Sequence, residues 1–321
     1  MAQVIPAGFV AADENVHPAD PGEWSWSESW FLSFVDLDDG PAGTFRVGIT
    51  PNQNRAMLWF FVAIDGAWYT FEESRLNYSD FDLSADVSYD KWGLRFASHS
   101  HDPFDTGSFT FSGVALVRSG PKAGARVPMS VELDYVSAAP MHGTGIGSDE
   151  DLTKYGTGRF EQSLTATGTV TVGGEVHQIR AGAHRDKSWG PREWTKNFAM
   201  GDLQGEGRQL YFVGDQWPGR AMGYVREGSD NLDFLQVVDA HIEFADETRS
   251  IKSADLSFKK PDGTLLSAAL IPVTDSINFD IAHAAEPPEH WLYWRTLVQG
   301  NVSGWDEPVR GWFEASRFGV A

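Results

Sequence analysis

From about Trp26 onward the chain alternates apolar and polar residues in short runs cut by turn residues, and no segment of ten or more residues carries a 3.6-residue period. Extended strands are therefore the main regular structure such a chain can form. Phe45, Val47 and Ile49 share one face of a strand while Thr44, Arg46 and Thr50 take the other. Residues 56–64 meet residues 67–71 across Asp65-Gly66, a two-residue link suited to a type I′ hairpin. Gly173-Gly174 joins 169–172 to 175–179 in the same way, and Asp262-Gly263 marks another hairpin. Further strands are expected at 109–111, 131–135, 209–213, 235–238 and 241–244. Many short strands punctuated by 33 Gly and 16 Pro predict an all-β protein of antiparallel barrels or sandwiches.

A chain of 321 residues can bury a large core as one domain or two. Two related halves suit the strand number, and Arg55-Ala56-Met57 recurs 165 positions later as Arg220-Ala221-Met222, the same offset that sets Glu28 over Glu193. A division near residue 183 follows, with domains at 1–183 and 184–321. Residues 137–158, rich in small and acidic side chains, read as a long loop bordering a binding site.

Charge and composition remove several function classes. A net charge of −20 disfavours nucleic acid and anionic lipid, whose binding rests on Lys and Arg. With no Cys there is no disulfide framework, thiolate metal site or Cys nucleophile. The N-terminal residues lack a basic leader and a signal-peptide core, and no apolar run approaches the roughly 20 residues of a membrane helix, so a cytoplasmic protein without a membrane span is expected. Thirteen Trp and 21 Phe provide large rigid surfaces for a core or for an apolar or aromatic small molecule. The pair His99 and His101 lacks evident further ligands, and no metal is expected. Phosphate loops, nucleophile elbows and dinucleotide fingerprints are absent. The sequence leaves room for a homodimer.

The most informative stretch is 183–194, which packs one His, five charged residues and two Trp into twelve positions. In an extended conformation His184, Asp186 and Ser188 point to one face and Arg185, Lys187 and Trp189 to the other, until Gly190-Pro191 interrupts the strand. This segment resembles the Gly-His-Arg-Asp-x-Ser-Trp-Gly-x-Arg-x-Trp signature of the superfamily that includes carotenoid 1,2-hydratase and the AttH-like proteins, with Ala183 in place of the first Gly. Arg159-Phe160-Glu161-Gln162 is similar to the element that precedes the signature, and Glu28-Ser29-Trp30-Phe31 to the family's first strand. The resemblance implies two tandem lipocalin-like barrels with a shared apolar cavity. It also implies chemistry without an organic cofactor on a bulky apolar, polycyclic or aromatic substrate: hydration, elimination, cyclisation or another lyase or isomerase step.

His184, Asp186, Glu161, Arg192 and Glu193 are the candidate catalytic residues. His184 and Asp186 can form an acid–base couple, with Asp186 holding the imidazole tautomer; Asp186 can equally form a buried ion pair with Arg192 or Arg185. Glu161 and Glu193 become proton donors if burial raises them. Trp189, Trp194, Tyr211, Trp59 and Trp30 are the candidate substrate-binding residues, or else core. The alternative function is a non-catalytic lipocalin-like carrier of a hydrophobic small molecule, with the charged signature as scaffold.

Overall fold

The computed structural model describes residues 8–84, 86–144, 157–192, 198–216, 220–228, 232–245, 250–280 and 291–318. Two compact units divide at Glu193 and Trp194. The first holds β1 (Trp26–Asp36), β2 (Ala42–Thr50), β3 (Arg55–Ile64), β4 (Ala67–Leu76), β5 (Val87–Lys91), β6 (Leu94–Asp102), β7 (Thr106–Val117), β8 (Arg126–Ser137), β9 (His142–Thr144), β10 (Gly158–Val172) and β11 (Glu175–Pro191). The division falls after residue 183 because β11 continues unbroken to Pro191, so residues 184–191 belong to the first unit.

Eight antiparallel strands of this unit form a ring in the order β1-β2-β3-β4-β7-β8-β10-β11, which closes where β11 pairs with β1 and β4 with β7. Closure removes the exposed edges that an open sheet of this length would present. Strand β6 continues the sheet from β7 and carries β5, and β9 lies against β10. The expected hairpins hold: Asp65 and Gly66 have φ of 49° and 75°, and Gly173 and Gly174 of 61° and 92°. Part of the expected 137–158 loop is instead strand, since His142–Thr144 pairs with β10; residues 145–156 lie outside the described residues.

Alternate side chains fill the ring. Phe45, Phe60, Phe109 and Phe111 stack across it with centroids 3.9 to 5.7 Å apart, beside Phe34, Phe96, Leu58 and Leu164. Each buried Phe contributes roughly 1.5–3 kcal/mol over an exposed one. The interior is therefore a packed core.

The second unit holds β12 (Ala199–Gly205), β13 (Arg208–Gln216), β14 (Arg220–Glu227), β15 (Leu232–Phe244), β16 (Ile251–Lys259), β17 (Leu265–Pro272), β18 (Ile277–Asp280), β19 (Trp291–Val302) and β20 (Val309–Phe318). It repeats the plan: eight strands run β12-β13-β14-β15-β16-β17-β19-β20, closed by β17 with β19 and β20 with β12, with β18 flanking β19. Phe212, Phe258 and Phe313 sit in its core with Leu203, Leu256 and Val298. The repeated tripeptide acquires a structural meaning, because Arg55 opens β3 and Arg220 opens β14, each the third strand of its ring. Described helical structure is confined to three short 3-10 turns, and no described helix is long and apolar enough to cross a membrane.

Candidate active site

Strand β11 is buried on both faces over most of the signature, and its two faces do different things. The inward face carries Arg185, Lys187 and Trp189, as the period of two requires. Arg185 grips Glu14 through two bonds, Nη2 to Oε1 at 2.6 Å and Nη1 to Oε2 at 3.0 Å, and donates to Gln162 Oε1 at 2.8 Å and Tyr135 Oη at 3.2 Å. Lys187 Nζ lies 2.7 Å from Glu28 Oε1 and donates to the carbonyls of Asp13 and Asn15. Trp189 stacks on His17 at 3.9 Å, next to Phe9. Together these contacts clamp residues 9–17 to the ring. Burial depresses the Lys187 ammonium, with Glu28 opposing it.

The outward face belongs to a wider surface. Following the registers from β9 to β3, one row reads His142, Glu161, Asp186, Phe31, Arg46 and Trp59, each directly opposite the next. A second row reads Ser163, His184, Ser33, Thr44 and Phe61, and a third Arg159, Ser188, Ser29, Gly48 and Met57. All lie on one side of the sheet, since opposed residues share a face. All except Asp186 and Arg159 are fully buried, and those two nearly so.

The ionisable groups concentrate at one end of these rows. Glu161 Oε2 meets His184 Nε2 at 2.6 Å, and its other oxygen accepts from Arg159 Nε at 2.7 Å. Arg159 Nη2 also donates to Asp186 Oδ2 at 3.0 Å. Burial by itself would raise the Glu161 carboxyl, but the Arg159 guanidinium and the His184 hydrogen bond outweigh it and hold Glu161 at about 2. Asp186 moves oppositely: burial pushes it above the usual range against the pull of Arg159, and the Glu161 charge adds to the rise. Burial depresses the His142 imidazole to about 4 despite the nearby Glu161 carboxylate, so His142 is neutral.

The sequence candidates divide accordingly. His184, Asp186 and Glu161 come together, but with other partners than expected. His184 bonds Glu161 across the strands, because Asp186 two residues along β11 is about 7 Å away while the longer Glu161 reaches the ring. Asp186 pairs with Arg159, since Arg185 points inward. Arg192 lies alongside, its Nη1 3.4 Å from Ser188 Oγ and its charge felt by Asp186. Trp59 shares the face, under the Arg46 guanidinium at 4.9 Å. Trp189 and Trp30 do not: both turn inward, where the Lys187 ammonium lies over each ring. Tyr211 belongs to the second unit, stacked on Tyr224 with centroids 5.2 Å apart. Glu193 and Trp194 lie outside the described residues. Sequence reasoning missed His142, hidden in an apparent loop, and passed over Arg159 and Arg46, whose alternation with Glu161 and with Phe45 placed them on the outward face.

A family described as "Domain of unknown function (DUF7064)" matches residues 10–307. Among solved structures, an AttH protein from Nitrosomonas europaea is 13% identical, covers 98% of this chain and 99% of its own, and superposes with a TM-score of 0.61. Kievitone hydratase from Nectria haematococca is 13% identical over 90% of this chain and 88% of its own, with a TM-score of 0.53. CghA, solved with Sch210972, is 12% identical over 92% and 89%, with a TM-score of 0.52. At these identities the likeness establishes the tandem lipocalin-like barrel fold shared with AttH-like proteins, and fold does not carry function. No curated protein matches the sequence.

Proposed function

The chain belongs to the family described as "Domain of unknown function (DUF7064)", and we propose that it is an acid–base enzyme of lyase or isomerase type acting on a bulky apolar or aromatic small molecule. One observation carries the reading: two carboxyls facing each other across β10 and β11 are driven apart in proton affinity, Glu161 down and Asp186 up. A site that shifts the proton affinities of two neighbouring acids in opposite directions separates a base side from a donor side.

Glu161, ionised, orients His184 through Nε2 and stabilises the imidazolium that forms when the ring takes a proton. In an elimination, His184 takes the proton from carbon while Asp186 protonates the departing hydroxyl, leaving an alkene and water. Hydration is the reverse, and moving a proton between two carbons gives an isomerisation. Arg159 bridges Glu161 and Asp186 and keeps the ionised carboxylate from repelling negative charge that develops in the substrate. Phe31, Trp59 and Phe61 continue the rows as apolar surface for the rest of the molecule. Kievitone hydratase, whose name specifies hydration, has the same fold and supports this class of reaction.

The test is to incubate the protein with extracts of apolar metabolites and follow mass changes of one water or shifts in retention at constant mass. Glu161→Gln, His184→Asn and Asp186→Asn should each lower the resulting turnover by about two to four powers of ten while the protein stays folded. If each folded variant keeps full specific activity and only the melting temperature falls, the cluster is scaffold and the carrier reading replaces this one.

A further inference from the structure

The two ends of the first ring differ. At one, Arg185, Lys187 and Trp189 point inward from β11 and hold residues 9–17. The other end lies around His177, about 26 Å back along β11 from Arg185. There the hairpins at Asp65-Gly66 and Gly173-Gly174 and the turn between β7 and β8 surround a cavity of about 240 Å³. Registers fix what lines it: Ile64 faces Ala67, Tyr69 faces Val117, and Val172 and His177 follow on β10 and β11. These side chains lie on the same side of their strands as Phe60, Phe111 and Val170, so the cavity is the mouth of the ring above its packed middle.

We propose that this mouth binds a small neutral molecule of about one or two rings that carries a hydroxyl, which His177 holds. Ile64, Val117 and Val172 are buried and apolar, and Tyr69 adds a ring face, so the wall takes the apolar body of the ligand. An apolar cavity of roughly 150 Å³ holds a benzene molecule, and this one is larger. His177 supplies the polar point of the wall. Its side chain is 21% exposed, and its Nε2 stands 3.9 Å from Glu175 Oε1, beyond hydrogen-bond reach. An imidazole can donate or accept, and a hydroxyl suits either role. Charge argues against other head groups. Asp65 and Glu175 outnumber Lys122 on the rim, in a chain of net charge −20, which disfavours an anion. An ammonium drawn down among Ile64, Val117 and Val172 would lose its water without a buried carboxylate to pair with, since Asp65 and Glu175 are both exposed.

This site uses the inside of the ring and the proposed chemistry its outward face, so either can fail without the other. The probes are 2-naphthol and 2-methylnaphthalene, which share one ring system and differ in a hydroxyl against a methyl, followed by equilibrium dialysis with the intact chain. The wild-type protein should bind both. It should bind 2-naphthoate and 2-naphthylmethylammonium more weakly than 2-naphthol. Ala67→Phe, which sets a ring in the mouth, should weaken 2-naphthol and 2-methylnaphthalene alike by about tenfold or more. His177→Leu keeps the wall apolar and removes the hydrogen bond, so the ratio of these two affinities should move about three- to tenfold against 2-naphthol. His177→Gln, which keeps a donor and an acceptor, should retain most of the ratio. Failure of the wild type to bind 2-naphthol, or tighter binding of either charged probe, overturns the proposal and needs no variant to measure. So does a ratio unchanged in a folded His177→Leu protein, or full binding by a folded Ala67→Phe protein, which would put the probes elsewhere.

Discussion

His142 offers a direct measure of how dry the candidate site is. Its imidazole lies opposite Glu161, with His184 and Arg159 as the other charged neighbours, and burial takes it from 6.5 to about 4. The folded value lies below that of the unfolded chain, so the unfolded state binds the extra proton between these limits. Stability is therefore whole above pH 6.5 and drains as the pH falls toward 4, at up to about 1.4 kcal/mol per pH unit, for a total of about 3 kcal/mol. His142→Gln removes the titrating group, so its unfolding free energy should fall by about 3 kcal/mol less over this window, whatever its stability at neutral pH. Asp186, raised in the fold, gives a slope of opposite sign that is common to the two proteins, and the His142–Glu161 attraction, smaller than the burial of His142, is part of the difference the comparison reads. Urea unfolding of both proteins across about pH 7 to 4 provides the assay. Parallel pH profiles, or a wild type that gains stability on acidification relative to the variant, would refute the burial argument for this face.

Two further predictions concern the scaffold. Glu14→Ala leaves the buried Arg185 without its doubly bonded carboxylate and should cost about 3–5 kcal/mol in urea unfolding; a loss below about 1 kcal/mol would show that residues 9–17 are not pinned by this pair. Gly311→Ala places a Cβ 2.0 Å from the Asp202 carbonyl oxygen where β20 closes the second ring, and should destabilise by about 1–3 kcal/mol or more, read as a lowered melting temperature; an unchanged melting temperature would mean that closure tolerates the extra carbon.

The fold was legible because its determinants are local. Period-two alternation gave the strands, and the paired turn residues at Asp65-Gly66 and Gly173-Gly174 gave hairpins with positive φ at both positions. The faces of the signature followed from alternation alone, with His184 and Asp186 on one side and Arg185 and Lys187 on the other. What alternation cannot supply is which strand lies alongside. The partnership of His184 with Glu161 and of Asp186 with Arg159 depends on the β10–β11 register, and that of Arg185 with Glu14 spans 171 positions. His142 was hidden for a related reason: three residues are too few to show a period, and β9 exists because β10 offers it a partner.

The filled rings decide where chemistry is to be sought. An eight-stranded barrel has an interior just wide enough either to be filled by its own side chains or to hold one small ligand. Here Phe45, Phe60, Phe109 and Phe111 pack the first ring and Phe212, Phe258 and Phe313 the second, among the described residues. The polar groups stand instead on the outward faces of corresponding strands: Glu161, His184 and Asp186 on β10 and β11, and the buried Arg295–Glu314 pair on β19 and β20. Buried ion pairs are poor stabilisers, and apolar residues of similar volume commonly hold a fold as well or better. Arg295 and Glu314 stand opposite each other across two strands. The first unit carries more than such a pair requires: two carboxyls with divergent proton affinities, two imidazoles and Arg159 on one face. The proposed proton transfer uses that asymmetry, Glu161 lowered and Asp186 raised across the same two strands.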